Sequence, residues 1–335
     1  MNPFKENNQI LPIASINSVY IDDVLASDLF RLELIIDELK KNREILGFSS
    51  ELSNIEIFNK FNELLASNIS ERKEIATKIA ISFGEKLAAL ILTLKKPSKL
   101  AIKNRPEWKK AHWDFWNKIE NIYFVGGLTS PILINIFYNE ITKALLENKI
   151  TNLNIRFIEG SLNLGTKGLT NLTKDGEYLL FDFGQTNIKR RYIVKKTTEI
   201  EIDTILPIIK SQFLFHKDIS NEELKQAALK LDNFIIMTII DTVNAVNFKG
   251  NNIIMAIANY VINGKIYEKR GGYAKLALLN DNYERHLKQA LSKLLKRDIQ
   301  VQLVHDTSAM ALNFNKVKRS AVVSLGTAFG IAFPE

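Results

Sequence analysis

The sequence predicts an α/β protein of two domains. Three observations carry this reading. Apolar, strand-like runs alternate with amphipathic helical stretches along the chain. Two of those runs stop at glycine turns, Gly126-Gly127 and Gly326. The length, 335 residues, is about twice that of a typical domain.

The N-terminal third reads mainly helical. Ser70 with Glu71 and Glu74 marks a helix start. Ile75, Ile79, Phe83, Leu87 and Leu90 then recur at helical spacing until Pro97 stops the helix. The run Ile122 to Val125 is a strand. Gly126 and Gly127 follow it, and Ser130 and Pro131 suit the N-cap and first position of a helix reaching about Glu147. The stretch from Tyr178 to Val194 reads as two strands joined by a polar turn at Gly184 to Asn187. Ser220 and Glu223 form a capping box before a long helix to about Val246. A buried strand is expected at 253–258, a helix at 282–296 and a strand at 301–304. The hairpin theme returns at the end, with strand 321–325, turn 326–330 and an outgoing strand from Ile331.

Composition sets bounds. Apolar residues make up 46% and charged residues 24%, enough to bury a core, which excludes a disordered or fibrous chain. The net charge of +8 favours an anionic partner. Cysteine is absent, so disulfides, thiolate nucleophiles and cysteine-bound zinc are excluded. The start resembles no signal peptide and no uncharged apolar run reaches about 18 residues, so the expectation is a cytoplasmic protein with no membrane span.

The two hairpin turns carry the chemistry. A glycine turn lets backbone N–H groups approach an anion closely, and a neighbouring Thr, Asn or Lys adds a donor or a charge. Asp182 stands just before the first turn, where a carboxylate holds Mg²⁺ through water or simply belongs to an ordinary hairpin. Asp306 closes the strand 301–304 and opens a helix, where it serves either as a proton acceptor or as a cap.

Taken together, these segments resemble the sugar kinases of the superfamily of actin, hexokinase and the heat-shock chaperone ATPases. Phe181-Asp-Phe-Gly-Gln-Thr-Asn-Ile-Lys189 is similar to their first phosphate motif. Val304-His-Asp-Thr-Ser is similar to the segment with the catalytic Asp, Ser324-Leu-Gly-Thr-Ala-Phe-Gly330 to the second phosphate motif, and Tyr123-Phe-Val-Gly-Gly-Leu128 to the adenosine motif. Hexokinase and the bacterial ROK glucokinases are the branches it resembles most. The resemblance implies a two-domain, actin-like (ribonuclease H-like) fold with a nucleotide cleft. It also implies ATP and Mg²⁺ as cofactors.

The motif order departs from the family. Here the adenosine motif precedes the first phosphate motif, and joining Glu335 to Met1 restores the family order. A circularly permuted fold follows, with one domain from 1–158 plus 315–335 and the other from 159–314. Gln185 replaces a glycine, Lys189 an arginine, His305 an asparagine and Ala328 a glycine, and the zinc-binding cysteines and the sugar-binding segment of the ROK proteins are missing.

The resemblance implies ATP-dependent phosphorylation of a hexose-like hydroxyl. Asp306 would be the general base and Asp182 the Mg²⁺ residue. Gly184, Thr186, Asn187, Lys189, Gly326 and Thr327 would meet phosphates, and Gly126 and Gly127 the adenosine. Sugar contacts are sought at His305, at Asp281 and in the loop 269–275 with Lys275. Alternatives are an actin-like ATPase and a sugar-binding regulator without kinase activity. A homodimer is left open, and a nucleic-acid partner is not expected. The basic stretch 95–110 with Trp108, Trp113 and Trp116 reads as a solvated edge with its tryptophans in the core.

Overall fold

The computed structural model describes residues 2–68, 70–128, 130–197, 199–214, 220–267, 269 and 271–334. In chain order its main elements are α1 (Asn54–Ala66), α2 (Ser70–Lys95), α3 (Lys110–Asn117), β1 (Asn121–Val125), α4 (Pro131–Glu147) and β2 (Asn154–Phe157). There follow α5 (Leu164–Leu169), β3 (Gly176–Phe183), β4 (Asn187–Lys196), β5 (Glu199–Lys210), α6 (Asn221–Ala245), β6 (Asn252–Ile257), α7 (Tyr283–Leu295), β7 (Gln300–His305) and α8 (Asp306–Ala311). The last are β8 (Ser320–Ser324) and β9 (Gly330–Ala332). The chain forms two units, the first from Met1–Phe4, Ile13–Leu162 and Lys316–Glu335, the second from Lys5–Pro12 and Asn163–Asn315. The fold is α/β in both. No helix among the described residues is long and apolar enough to cross a membrane.

The first unit is built on a four-stranded sheet in the order β9-β8-β1-β2. β8 runs parallel to β1 and antiparallel to β9, and β1 runs parallel to β2. Buried Ile122, Phe124, Val322 and Val323 give both central strands their continuous apolar character. α2 ends at Lys95, before Pro97, and packs along α4. Trp108, Trp113 and Trp116 are core residues. Phe4 stacks on Phe333 at 5.3 Å, and the two rings meet Trp108 and Trp116 edge-on at 5.0 and 5.5 Å, tying the first and last segments of the unit together. Buried Lys95 donates to the carbonyls of Asn117 (2.5 Å) and Ile119 (2.6 Å), satisfying groups that the end of α3 leaves open.

The second unit has a five-stranded sheet in the order β7-β6-β3-β4-β5. β3, β6 and β7 are parallel, while β4 and β5 continue from β3 as an antiparallel meander. Helices cover both faces. Leu179, Phe181 and Phe183 point toward Ile235, Ile239 and Leu287 on one side, and Leu180, Ile254 and Ala256 toward Leu169 and Ala309 on the other. The Ser220–Glu223 capping box starts α6. β5 was not expected from the sequence. It is an edge strand, exposed along nearly all of its length, so its isoleucines alternate with acids without any burial pattern to betray them.

Candidate functional site

β3 and β7 lie on either side of β6, and Ile257 pairs with both Phe183 and His305. Asp182 and Asp306 therefore stand at the same end of neighbouring parallel strands, the end at which α/β sheets bind ligands. Asp182 is buried, and Lys189, its cross-strand partner on β4, places Nζ 3.2 Å from Oδ2. Its other oxygen, Oδ1, is buried with no hydrogen-bond partner among the described residues. Gly165 of α5 makes room for this carboxylate: a Cβ there would lie 2.7 Å from Oδ2. Burial raises the Asp182 pKa, Lys189 opposes the rise, and the Asp306 charge adds to it.

Asp306 opens α8 with one-fifth of its side chain exposed. Its Oδ1 accepts from the Thr307 N–H at 2.6 Å and from Thr307 Oγ1 at 3.2 Å. Burial pushes its carboxyl up to about 6, against the opposing pull of Thr307 and Lys189. An aspartate tuned to that value is suited to take up a proton near neutral pH.

The turn 184–187 is braced from outside the motif. Gly184 N–H donates to Asn187 O at 3.1 Å. Its carbonyl accepts from Ser211 Oγ at 2.7 Å and from Tyr273 Oη at 3.0 Å. Gln185 donates to Ala258 O at 3.1 Å, so the residue that replaces a glycine anchors the turn on β6's exit. Thr186 is exposed, and Asn187 and Lys189 are partly so. Ser211 was missed in the sequence, and Tyr273 was read only as part of the candidate substrate loop 269–275, not as a brace of this turn.

In the first unit the adenosine and second phosphate motifs lie side by side, because β8 pairs with β1. Leu325 N–H donates to Val125 O at 2.7 Å. Gly126 has φ +107°, and a Cβ on it would sit 2.5 Å from Leu325 O, so only glycine fits. Its N–H donates to Ser161 Oγ at 2.9 Å, a partner that the sequence reading did not single out. Gly127 and Gly326 have open space where a side chain would be, Gly326 O accepts from Leu32 N–H at 3.1 Å, and Thr327 is partly exposed.

The three residues sought as sugar contacts lie as follows. His305 is only 6% exposed, its Nδ1 lies 3.1 Å from Ser308 Oγ, and its Nε2 stands 3.2 Å from Asp306 Oδ1. Lys275 is buried and donates to the carbonyls of Phe213 and Leu214 (2.8 Å for the latter), which lowers its pKa to about 8 through loss of solvent. Asp281 is exposed beside Asn282, the N-cap of α7, away from any described partner of Asp306. Arg270, in the same candidate loop, lies outside the described residues.

No protein-family profile matches the chain, and no curated protein does. Among solved structures, it is similar to an exopolyphosphatase from Cytophaga hutchinsonii at 13% identity and a TM-score of 0.23, covering 55% of this chain and 51% of that one. The chain thus spans about half the length of that structure. An exopolyphosphatase-like protein gives 10% identity and a TM-score of 0.31, covering 72% and 82%. A type II Ppx/GppA phosphatase from Aquifex aeolicus gives 12% identity and a TM-score of 0.29, covering 76% and 87%. None of the three is a sugar kinase. The expectation of a hexokinase-like, glycolytic sugar kinase is accordingly withdrawn.

Proposed function

We propose that the second unit holds a phosphohydrolase centre of the actin-like ATPase kind. It would cleave the terminal phosphoanhydride of a nucleoside triphosphate or a polyphosphate chain, with water as acceptor. One observation carries the reading: Asp306 has one carboxylate oxygen engaged by Thr307, and a pKa raised to about 6. Water needs only a base and a position, and Asp306 supplies the base.

In this scheme Asp306 accepts a proton from water as the water oxygen attacks the terminal phosphorus, and the bond to the bridging oxygen breaks with the negative charge leaving on the departing phosphate. Lys189, Asn187 and the backbone of Thr186 would face the phosphates. A divalent cation fits at Asp182, whose Oδ1 is buried and unpartnered. No group of three or more His, Asp or Glu among the described residues could hold a metal ion, so Asp182 would hold the cation through water, with phosphate oxygens completing the shell. When bound, such a cation neutralises charge on the transferred phosphoryl group.

The test is phosphate release from ATP, GTP and inorganic polyphosphate with Mg²⁺, for the native protein and Asp306→Asn. Release that falls by at least about 10²-fold in the variant supports the reading. No release from any of the three substrates overturns it.

A further inference from the structure

His305 is the one departure from the sugar-kinase pattern that touches the base. Its ring lies almost flat on Tyr260, with centroids 4.7 Å apart and planes at 6°. Nδ1 is 3.1 Å from Ser308 Oγ, and Nε2 is 3.2 Å from Asp306 Oδ1. Stacking and the Ser308 contact fix the ring in two directions, so the position of Nε2 is set by the fold. Burial keeps the imidazole neutral, lowering its pKa to about 3, and a neutral ring carries a single N–H. A carboxylate oxygen offers no hydrogen, so the nitrogen facing it is the one that carries the proton. Nδ1 is then the bare nitrogen and accepts from the Ser308 hydroxyl. Every group in the chain Ser308–His305–Asp306 has one consistent role.

We propose that His305 and Thr307 are positioning residues that commit Asp306 Oδ1 to the protein and leave Oδ2 as the oxygen that takes the proton from water. Two donors converge on Oδ1, the Thr307 N–H and Thr307 Oγ1, and His305 Nε2 stands 3.2 Å from the same oxygen. Among the described residues no other residue donates to Oδ2. A carboxylate free to rotate would present either oxygen, and a displacement of the reacting atom by about 1 Å costs about 10²-fold in rate. The histidine thus takes over a task of orientation at the place where an asparagine would serve a sugar.

The proposal rests on Asp306 being the base, and its test separates the two. ¹⁵N NMR of the ligand-free protein, with His305 assigned by comparison with His305→Phe, reads the tautomer without any turnover. The Nε2–H form is expected, and it is expected to persist in Ser308→Ala, because Asp306 rather than Ser308 sets it. An Nδ1–H form in either protein overturns the proposal. In phosphate release, His305→Phe keeps the ring stack and removes both nitrogens. Its kcat is expected to fall about tenfold to a hundredfold with KM changed less than about twofold, and His305→Gln is expected to recover part of the loss. Thr307→Val, of equal volume, is expected to lower kcat in the same way. Unchanged kcat in both His305→Phe and Thr307→Val overturns the proposal. If His305→Phe does not fold, the Ser308→Ala spectrum and the Thr307→Val kinetics decide. A native protein that hydrolyses nothing sinks the proposed function, while the ¹⁵N spectrum still judges the His305 assignment.

Discussion

The sharpest consequence of the Asp306 environment is the acid limb of its rate profile. A carboxyl at about 6 is roughly one-tenth ionised at pH 5 and nine-tenths ionised at pH 7, so kcat should rise about tenfold between them. An aspartate at its ordinary value of 3.8 would already be almost fully ionised at pH 5, and the same profile would be nearly flat. The perturbation that tests the cause is Lys189→Met. Burial is the main reason for the raised value and the Lys189 ammonium works against it, so removing that charge moves the limb to higher pH. The assay is initial-rate phosphate release at saturating substrate from pH 4.5 to 8.5, with constant ionic strength. A flat native profile from pH 5 to 7, with Asp306→Asn still inactive, would refute the tuning while leaving the residue essential. A limb that moves to lower pH in Lys189→Met would refute the electrostatic account.

Three further outcomes follow from the same geometry. Because the folded-state pKa of Asp306 lies above the ordinary value, its proton stabilises the fold below pH 4, and that contribution is lost as pH rises through about 6. Asp306→Asn should therefore melt at a higher temperature than the native protein at pH 7.5, with the gap narrowing toward pH 4 in thermal scans. Gly165→Ala would put a methyl group 2.7 Å from Asp182 Oδ2, in a site with no room to yield. A loss of about 1–3 kcal/mol in urea titration is expected, with lower phosphate release; a neutral result would mean that α5 slides freely. Lys95→Met strands the carbonyls of Asn117 and Ile119, and should cost about 1–3 kcal/mol by the same measurement.

The strands and their turns were legible because glycine and proline punctuate them: Gly126 ends β1, Pro131 begins α4, and Gly184 and Gly330 mark the hairpins. Asp182 and Asp306 were legible because each follows a strand-like run, Tyr178 to Phe181 and Val301 to Val304. What lay beyond reach were contacts between residues far apart in sequence. Tyr273 reaches Gly184 across 89 positions and Ser211 across 27, and no local pattern announces either. His305 and Lys275 were read from their chemistry as groups that face a ligand. Their burial turned the same chemistry inward, toward Ser308 and Asp306 in one case and backbone carbonyls in the other. The strand β5 escaped because an edge that faces water on most of its surface has no core to impose a pattern.

The sheet of the first unit also dictates an order of assembly during synthesis. β8 sits between β9 and β1, yet it is translated about 200 residues after the strand it pairs with. The nascent chain therefore leaves the ribosome with β1 lacking a neighbour on one side and the apolar faces of α2 and α4 lacking part of their platform. The second unit's sheet, β3 to β7, is finished by residue 305, before β8 exists. It can close while the first unit waits, so the first unit is the part of this protein that most needs chaperone protection, and its long-range pairing is the slow step of folding.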